Sequence, residues 1–185
     1  MRWDMIVGSL SRGSVNRQLA GRLAELAPAE VAIEEIEIAG LPLFDYELED
    51  DFPLAAREVK ARVEASELLV FVTPEYNRSI PAALKNVLDW GSRPWGSNSW
   101  AGRRAAVIGT GLNGAGTAVA QSQLRGILGY LGVTVVGATE VCLPWRDDLL
   151  DDPAVTERLR SFLAELDEHA RAGALGEPVL QGLRP

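Results

Sequence analysis

The sequence is short of the residues from which metal and thiol chemistry are built. It has one cysteine, Cys142, and one histidine, His169. A single cysteine excludes an intramolecular disulfide and any multi-cysteine metal or iron–sulfur site. A single histidine argues against a histidine-rich zinc centre, so no metal site is expected. Basic residues are also scarce: 18 Lys and Arg stand against 26 Asp and Glu, a formal charge of -8. A general nucleic-acid binder needs the opposite sign to release counterions from phosphates, and that class is set aside. No apolar run approaches the roughly 20 residues of a membrane helix. The chain opens Met1-Arg2-Trp3-Asp4 without a charged-then-apolar leader. The expectation is a soluble, cytoplasmic protein with no membrane insertion.

What is present suits one globular domain. A length of 185 residues with 47% apolar side chains is enough for a single sizeable core. The expected division is a domain over residues 1–172 and a tail over 173–185, rich in Gly and Pro. Strands and helices alternate. A short strand at Met5–Gly8 precedes a helix with Leu19, Leu23 and Leu26 on one face, stopped by Pro28. Val31 to Ile38 reads as an exterior strand whose slip at Glu34-Glu35 has the form of a bulge. An acidic loop with Asp45, Glu47, Glu49, Asp50 and Asp51 lacks the glycine and terminal glutamate of a calcium loop, so it reads as solvated. Leu68–Thr73 and Ala105–Gly109 are uninterrupted apolar runs, as in strands buried on both faces. Val133–Val136 and Glu140–Leu143 form one broken last strand.

Five strands alternating with five helices predict a parallel sheet covered on both sides, an α/β three-layer sandwich. Placing the most apolar strands centrally gives the order 2-1-3-4-5, the flavodoxin-like arrangement. Ligands in such sheets sit beyond the carboxyl ends of the strands, at the switch between the first and third. Three loops meet there: Ser9–Asn16, Pro74–Ser79 and Thr110–Gly116.

The first loop offers the hydroxyls of Ser9, Ser11 and Ser14, the Asn16 amide and two guanidinium groups before a helix N-terminus. Those donors can surround a phosphate without metal, and they suit a terminal monoester such as that of FMN. The same segment also reads as an ordinary loop capped by Ser14 or Asn16. The third loop holds a literal Gly-x-Gly-x-x-Gly, Gly109 to Gly114, yet the acidic residue expected about 20 positions on is missing. Its glycines are read instead as letting backbone approach a flat ring or sugar.

The middle loop and its helix run Pro74-Glu75-Tyr76-Asn77-Arg78-Ser79-Ile80-Pro81 and on through Leu84-Lys85-Asn86 to Asp89-Trp90. This stretch resembles the signature of the NADPH-dependent FMN reductase family, which includes quinone and chromate reductases. Gly8-Ser9-Leu10 with Ser14, Asn16 and Arg17, and Gly116-Thr117 with Gln121 to Arg125 and Tyr130-Leu131-Gly132, resemble its other segments, over roughly residues 5 to 145. The resemblance implies that Ser9, Ser14, Asn16 and Arg17 hold the FMN phosphate. Pro74, Glu75, Tyr76 and Asn77 would line the ring and ribityl chain, and Thr110 and Gly111 would approach from the other side. Arg78 stands where members often carry Gly or an aromatic, and with Tyr76 it would face substrate. Arg12 follows Ser11, where many members have Arg, and takes no assigned role.

No side chain here reads as a nucleophile or proton shuttle, which fits chemistry carried by a cofactor. The expected activity is transfer from NADPH or NADH to FMN and then to a quinone or similar acceptor, such as chromate, an azo compound or free flavin. A shared apolar pocket would hold Tyr76 with Trp95 or Trp100. The expected assembly is a homodimer or homotetramer. The alternatives are a flavodoxin-type electron carrier and a flavin-binding sensor.

Overall fold

The computed structural model describes residues 1–137 and 140–173. Its strands are β1 (Arg2–Val7), β2 (Ala32–Glu35), β3 (Leu68–Val72), β4 (Arg104–Gly111), β5 (Thr134–Val135) and β6 (Val141–Pro144). Its helices are α1 (Val15–Leu26), α2 (Leu54–Ala65), α3 (Ala82–Gly91), α4 (Ala118–Tyr130) and α5 (Pro153–Gly173). All strand pairs are parallel, in the order β2-β1-β3-β4-β5, with β6 pairing the far half of β4. The expected sheet and its broken last strand are both present: β5 pairs Arg104 and Ala105, and β6 pairs Ile108 to Gly111. Beyond Gly173, the expected tail lies outside the described residues. Among the described residues no helix is long and apolar enough to cross a membrane.

Strand alternation divides the core into two layers. Trp3, Met5, Val70 and Ile108 pack under α1 and α5, where Leu19, Leu23, Leu159, Phe162 and Leu166 are buried. On the other face, Ile6, Leu69, Phe71 and Val107 meet Val59, Val63, Leu84, Leu88, Leu124 and Leu128 of α2, α3 and α4. Helices therefore cover both faces of the sheet.

Three local readings change. First, β1 begins at Arg2 rather than Met5, because Asp4 is tolerated inside the sheet. Its fully buried carboxylate pairs with Arg62 of α2 and with Arg2 at 3.2 Å. A buried charge requires such partners. Second, β2 carries no bulge: Arg2 to Met5 pair in unbroken register with Ala32 to Glu35. The slip in alternation comes at the strand's end, after which Ile36 and Ile38 turn into the core. Third, Trp95 and Trp100 do not join Tyr76. Both lie on the segment between α3 and β4, which enters the sheet from its amino edge. Trp100 is fully buried and donates from Nε1 to the Leu88 carbonyl at 2.9 Å. Trp95 is exposed beside the Arg93 guanidinium, which sits 5.5 Å from its ring centre.

Cys142 is half-buried on β6, and burial, reinforced by the Glu140 charge, pushes its thiol above the ordinary range. The thiolate is the reactive form. Alkylation by iodoacetamide at pH 7 is therefore expected to run slower than that of a free thiol. The rate should keep climbing with pH beyond the point where an ordinary thiol levels off. A plateau at or below that point would contradict the assignment.

Candidate functional site

The carboxyl ends of β1, β3 and β4 bring the three predicted loops together. Gly8 ends β1 by donating to the Val72 carbonyl at 2.9 Å, which holds the first loop beside the end of β3. Residues 10–13 are exposed. Among the described residues, no hydrogen bond claims the N–H groups of Ser9, Leu10, Ser11, Arg12 or Gly13. Helix α1 follows with no acidic residue in its first turn. A row of unspent donors thus ends at the positive pole of a 12-residue helix, an arrangement that favours an anion. Arg12 adds a guanidinium with no partner among the described residues.

The side chains assigned to a phosphate divide by what they already do. Ser14 is the N-cap of α1, its Oγ accepting from Arg17 N–H at 3.2 Å. Ser9 is buried, with its Oγ 3.3 Å from the Tyr76 hydroxyl. Asn16 is buried and turned the other way. Its Nδ2 donates to the Thr110 carbonyl at 2.8 Å, and its Oδ1 accepts from Thr110 N–H at 3.0 Å. That amide clamps α1 to β4. Arg17 lies at the loop's flank, its Nη1 2.5 Å from both Glu35 carboxylate oxygens at the end of β2. A second contact runs from Arg17 Nη2 to the Ser9 carbonyl at 3.4 Å.

The middle loop makes a two-residue turn. Tyr76 and Ser79 exchange backbone hydrogen bonds at 2.9 and 3.0 Å, while Asn77 and Arg78 take φ of 51° and 64°. Two successive left-handed residues suit Asn, which tolerates that region, better than Arg. Pro74 packs where a Cβ on Gly8 would come within 3.4 Å of its ring. Tyr76 is half-exposed, and Arg78 is exposed. Glu75 turns inward: its side chain is 2% exposed, and its Oε1 pairs with Arg78 Nη1 at 3.2 Å. Its Oε2 accepts from Val119 N–H at 3.0 Å and Ala120 N–H at 3.1 Å.

Two glycines of the third loop have close neighbours within the protein. A Cβ on Gly109 would fall 2.1 Å from the Thr73 carbonyl oxygen, and one on Gly111 2.8 Å from that of Gly116. Glycine stands at both positions because β3's end and the returning loop lie against β4. At both positions the near neighbour is backbone of the protein. Thr110 is fully buried, with its hydroxyl donating to the Leu143 carbonyl at 2.8 Å. Two recesses of about 310 and 420 Å³ lie elsewhere. One is lined by Phe52, Lys60 and Pro94, the other by Arg104, Thr134 and His169, so neither holds a predicted site residue.

Reading residue types missed Glu35 and Gln123. Nothing in the spacing ties Glu35 to Arg17, because their meeting depends on β2 lying beside β1. Gln123 lies in the Gln121–Arg125 stretch, which carries the resemblance but gives that side chain no role. In the structure it accepts from Ser79 Oγ at 2.7 Å and donates to the Arg78 carbonyl at 3.0 Å.

The family model described as NADPH-dependent FMN reductase matches residues 1–145. A 2-hydroxy-1,4-benzoquinone reductase of Burkholderia sp is 43% identical over 169 residues, covering 90% of this chain and 92% of that protein. A quinone reductase of Pseudomonas putida is 35% identical, covering 86% of this chain and 87% of its own. Among solved structures, the flavoenzyme NAD(P)H:(acceptor) oxidoreductase FerB of Paracoccus denitrificans superposes with a TM-score of 0.84 at 32% identity. That match covers 91% of this chain and 98% of the other.

Proposed function

Because this chain belongs to the NADPH-dependent FMN reductase family, we propose that it is an NAD(P)H:quinone oxidoreductase with FMN at the carboxyl edge of its sheet. The observation that carries this reading is the row of unspent N–H groups from Ser9 to Gly13 at the positive end of α1, next to Tyr76. That donor set fits a phosphate monoester. FMN, when bound, supplies the two-electron chemistry between the nicotinamide and the acceptor.

The chain's own residues bind and orient. Backbone donors of residues 9–13 and the Ser9 and Ser11 hydroxyls would receive the phosphate, with Arg12 and Arg17 supplying positive charge. Ser14 and Asn16 serve that cradle indirectly, one by capping α1 and the other by tying it to Thr110. Pro74, Tyr76 and Asn77 would flank the ring from the β3 side, and the Thr110-Gly111 backbone from the β4 side. Tyr76 and Arg78, both accessible, would meet the nicotinamide and the acceptor in turn. Arg78 is a local attraction for anionic substrates on a chain of net charge -8. The proposal includes a homodimer or homotetramer, supported by the exposed Leu10 and Leu112 beside the site, and a cytoplasmic location.

The test begins with the absorption spectrum of the purified protein and with FMN titration of the stripped chain. Steady-state NAD(P)H:quinone kinetics should then give parallel double-reciprocal lines, as one site serves donor and acceptor in turn. A flavin-loaded protein that neither nicotinamide reduces, but that takes single electrons from a reductase, would be a carrier instead.

A further inference from the structure

The start of α4 lacks a cap of its own. Thr117, the residue before it, makes no capping bond, since its hydroxyl accepts from Gln121 Nε2 at 3.0 Å. The cap arrives from 44 residues away, because Glu75 Oε2 takes the N–H groups of Val119 and Ala120. An anion is favoured there by the helix dipole as well as by the two bonds. The other oxygen of the same buried carboxylate holds Arg78. One turn further along α4, Gln123 takes the Ser79 hydroxyl and gives its own amide to the Arg78 carbonyl. The Tyr76–Ser79 turn is therefore held against α4 at two points.

This turn needs holding. Arg78 in the left-handed region is strained, and such a conformation persists only where surroundings over-determine it. The four hydrogen bonds to α4 supply that constraint, and they act on the turn that presents Tyr76 to Ser9.

We propose that Glu75 and Gln123 are positioning residues: together they latch the 76–79 turn to α4 and so fix Tyr76 against the flavin. The inference rests on the proposed flavin site, while the latch itself can be tested without flavin. Glu75 then acts through α4 and the turn, and its carboxylate is not a ring contact.

In flavin-free protein, Glu75→Ala should speed amide exchange at Val119 and Ala120 about tenfold, the order expected for a lost N-cap. Glu75→Gln, which keeps an acceptor oxygen, should restore much of the protection. Gln123→Ala removes an exposed side chain, so its flavin-free thermal midpoint should match the wild type. It should nonetheless weaken FMN about tenfold and change the visible circular dichroism of the bound flavin. The Glu75→Ala, Gln123→Ala double variant should lose less FMN affinity than the two single losses added, because both release one turn. Unchanged exchange in Glu75→Ala overturns the cap. Unchanged FMN affinity and dichroism in Gln123→Ala overturn the positioning role. If the wild type itself fails to bind FMN, the flavin-site reading falls, and the exchange data alone uphold or overturn the latch.

Discussion

Asn16→Ala is expected to destabilise the flavin-free protein by about 3–5 kcal/mol. The Asn16 amide satisfies both the N–H and the carbonyl of Thr110, at a point where both residues are buried. Each backbone group left without a partner costs roughly 1–3 kcal/mol, and the shortened side chain leaves a void between α1 and β4. Against a total stability on the order of 5–15 kcal/mol, this is a large fraction. Asn16→Asp should be at least as harmful at neutral pH. It keeps the acceptor for Thr110 N–H, yet sets an anionic oxygen against the Thr110 carbonyl with no water to separate them. Urea unfolding of the stripped protein measures both. If Asn16→Ala unfolds like the wild type and only FMN affinity drops, Asn16 contacts the phosphate after all and the clamp is incidental.

The same residue shows how far the sequence could be read. Its place, just after a glycine- and serine-rich loop and at the start of a helix, puts it at the sheet edge where the three loops meet. Which way its amide turns depends on β4 lying across the end of α1, a contact spanning 94 residues. The sheet order was legible because burial is written into composition: Leu68 to Val72 and Ala105 to Ile108 leave no polar face, so those strands had to be central. Asp4 was not legible as an interior residue, since a charge in a strand is tolerated only when its partners arrive from elsewhere, here Arg62 of α2. Glu75 was marked by its motif, but a carboxylate that caps a remote helix looks in one dimension like a carboxylate that touches a ligand. The glycines of the β4 loop carry a related ambiguity. Glycine reports that something comes close, and here the close neighbours are Thr73 and Gly116.

The second large effect concerns the pair at the flank of the phosphate loop. Arg17 and Glu35 are both partly solvated, with side-chain exposures of 37% and 29%, and they meet at 2.5 Å. A pair in such surroundings contributes only about 0–1 kcal/mol, so a dianionic phosphate can draw the guanidinium away at little cost. Charge-assisted hydrogen bonds to that phosphate are each stronger, at about 1.5–3 kcal/mol. Arg17→Ala is therefore expected to weaken FMN by about 10- to 100-fold. Riboflavin, which lacks the phosphate, should bind the variant and the wild type alike. Glu35→Gln should act in the opposite direction, tightening FMN by about 3- to 10-fold, because it removes both a competitor for Arg17 and a negative charge near the phosphate. That gain should shrink as salt is added, since exposed charges are screened over roughly 8 Å at physiological ionic strength. Calorimetric titration of the stripped variants with both flavins separates the possibilities. Equal loss of FMN and riboflavin in Arg17→Ala would assign Arg17 to holding the Ser9 carbonyl and the fold. A Glu35→Gln variant with unchanged FMN affinity would mean that the guanidinium never leaves its carboxylate for the phosphate.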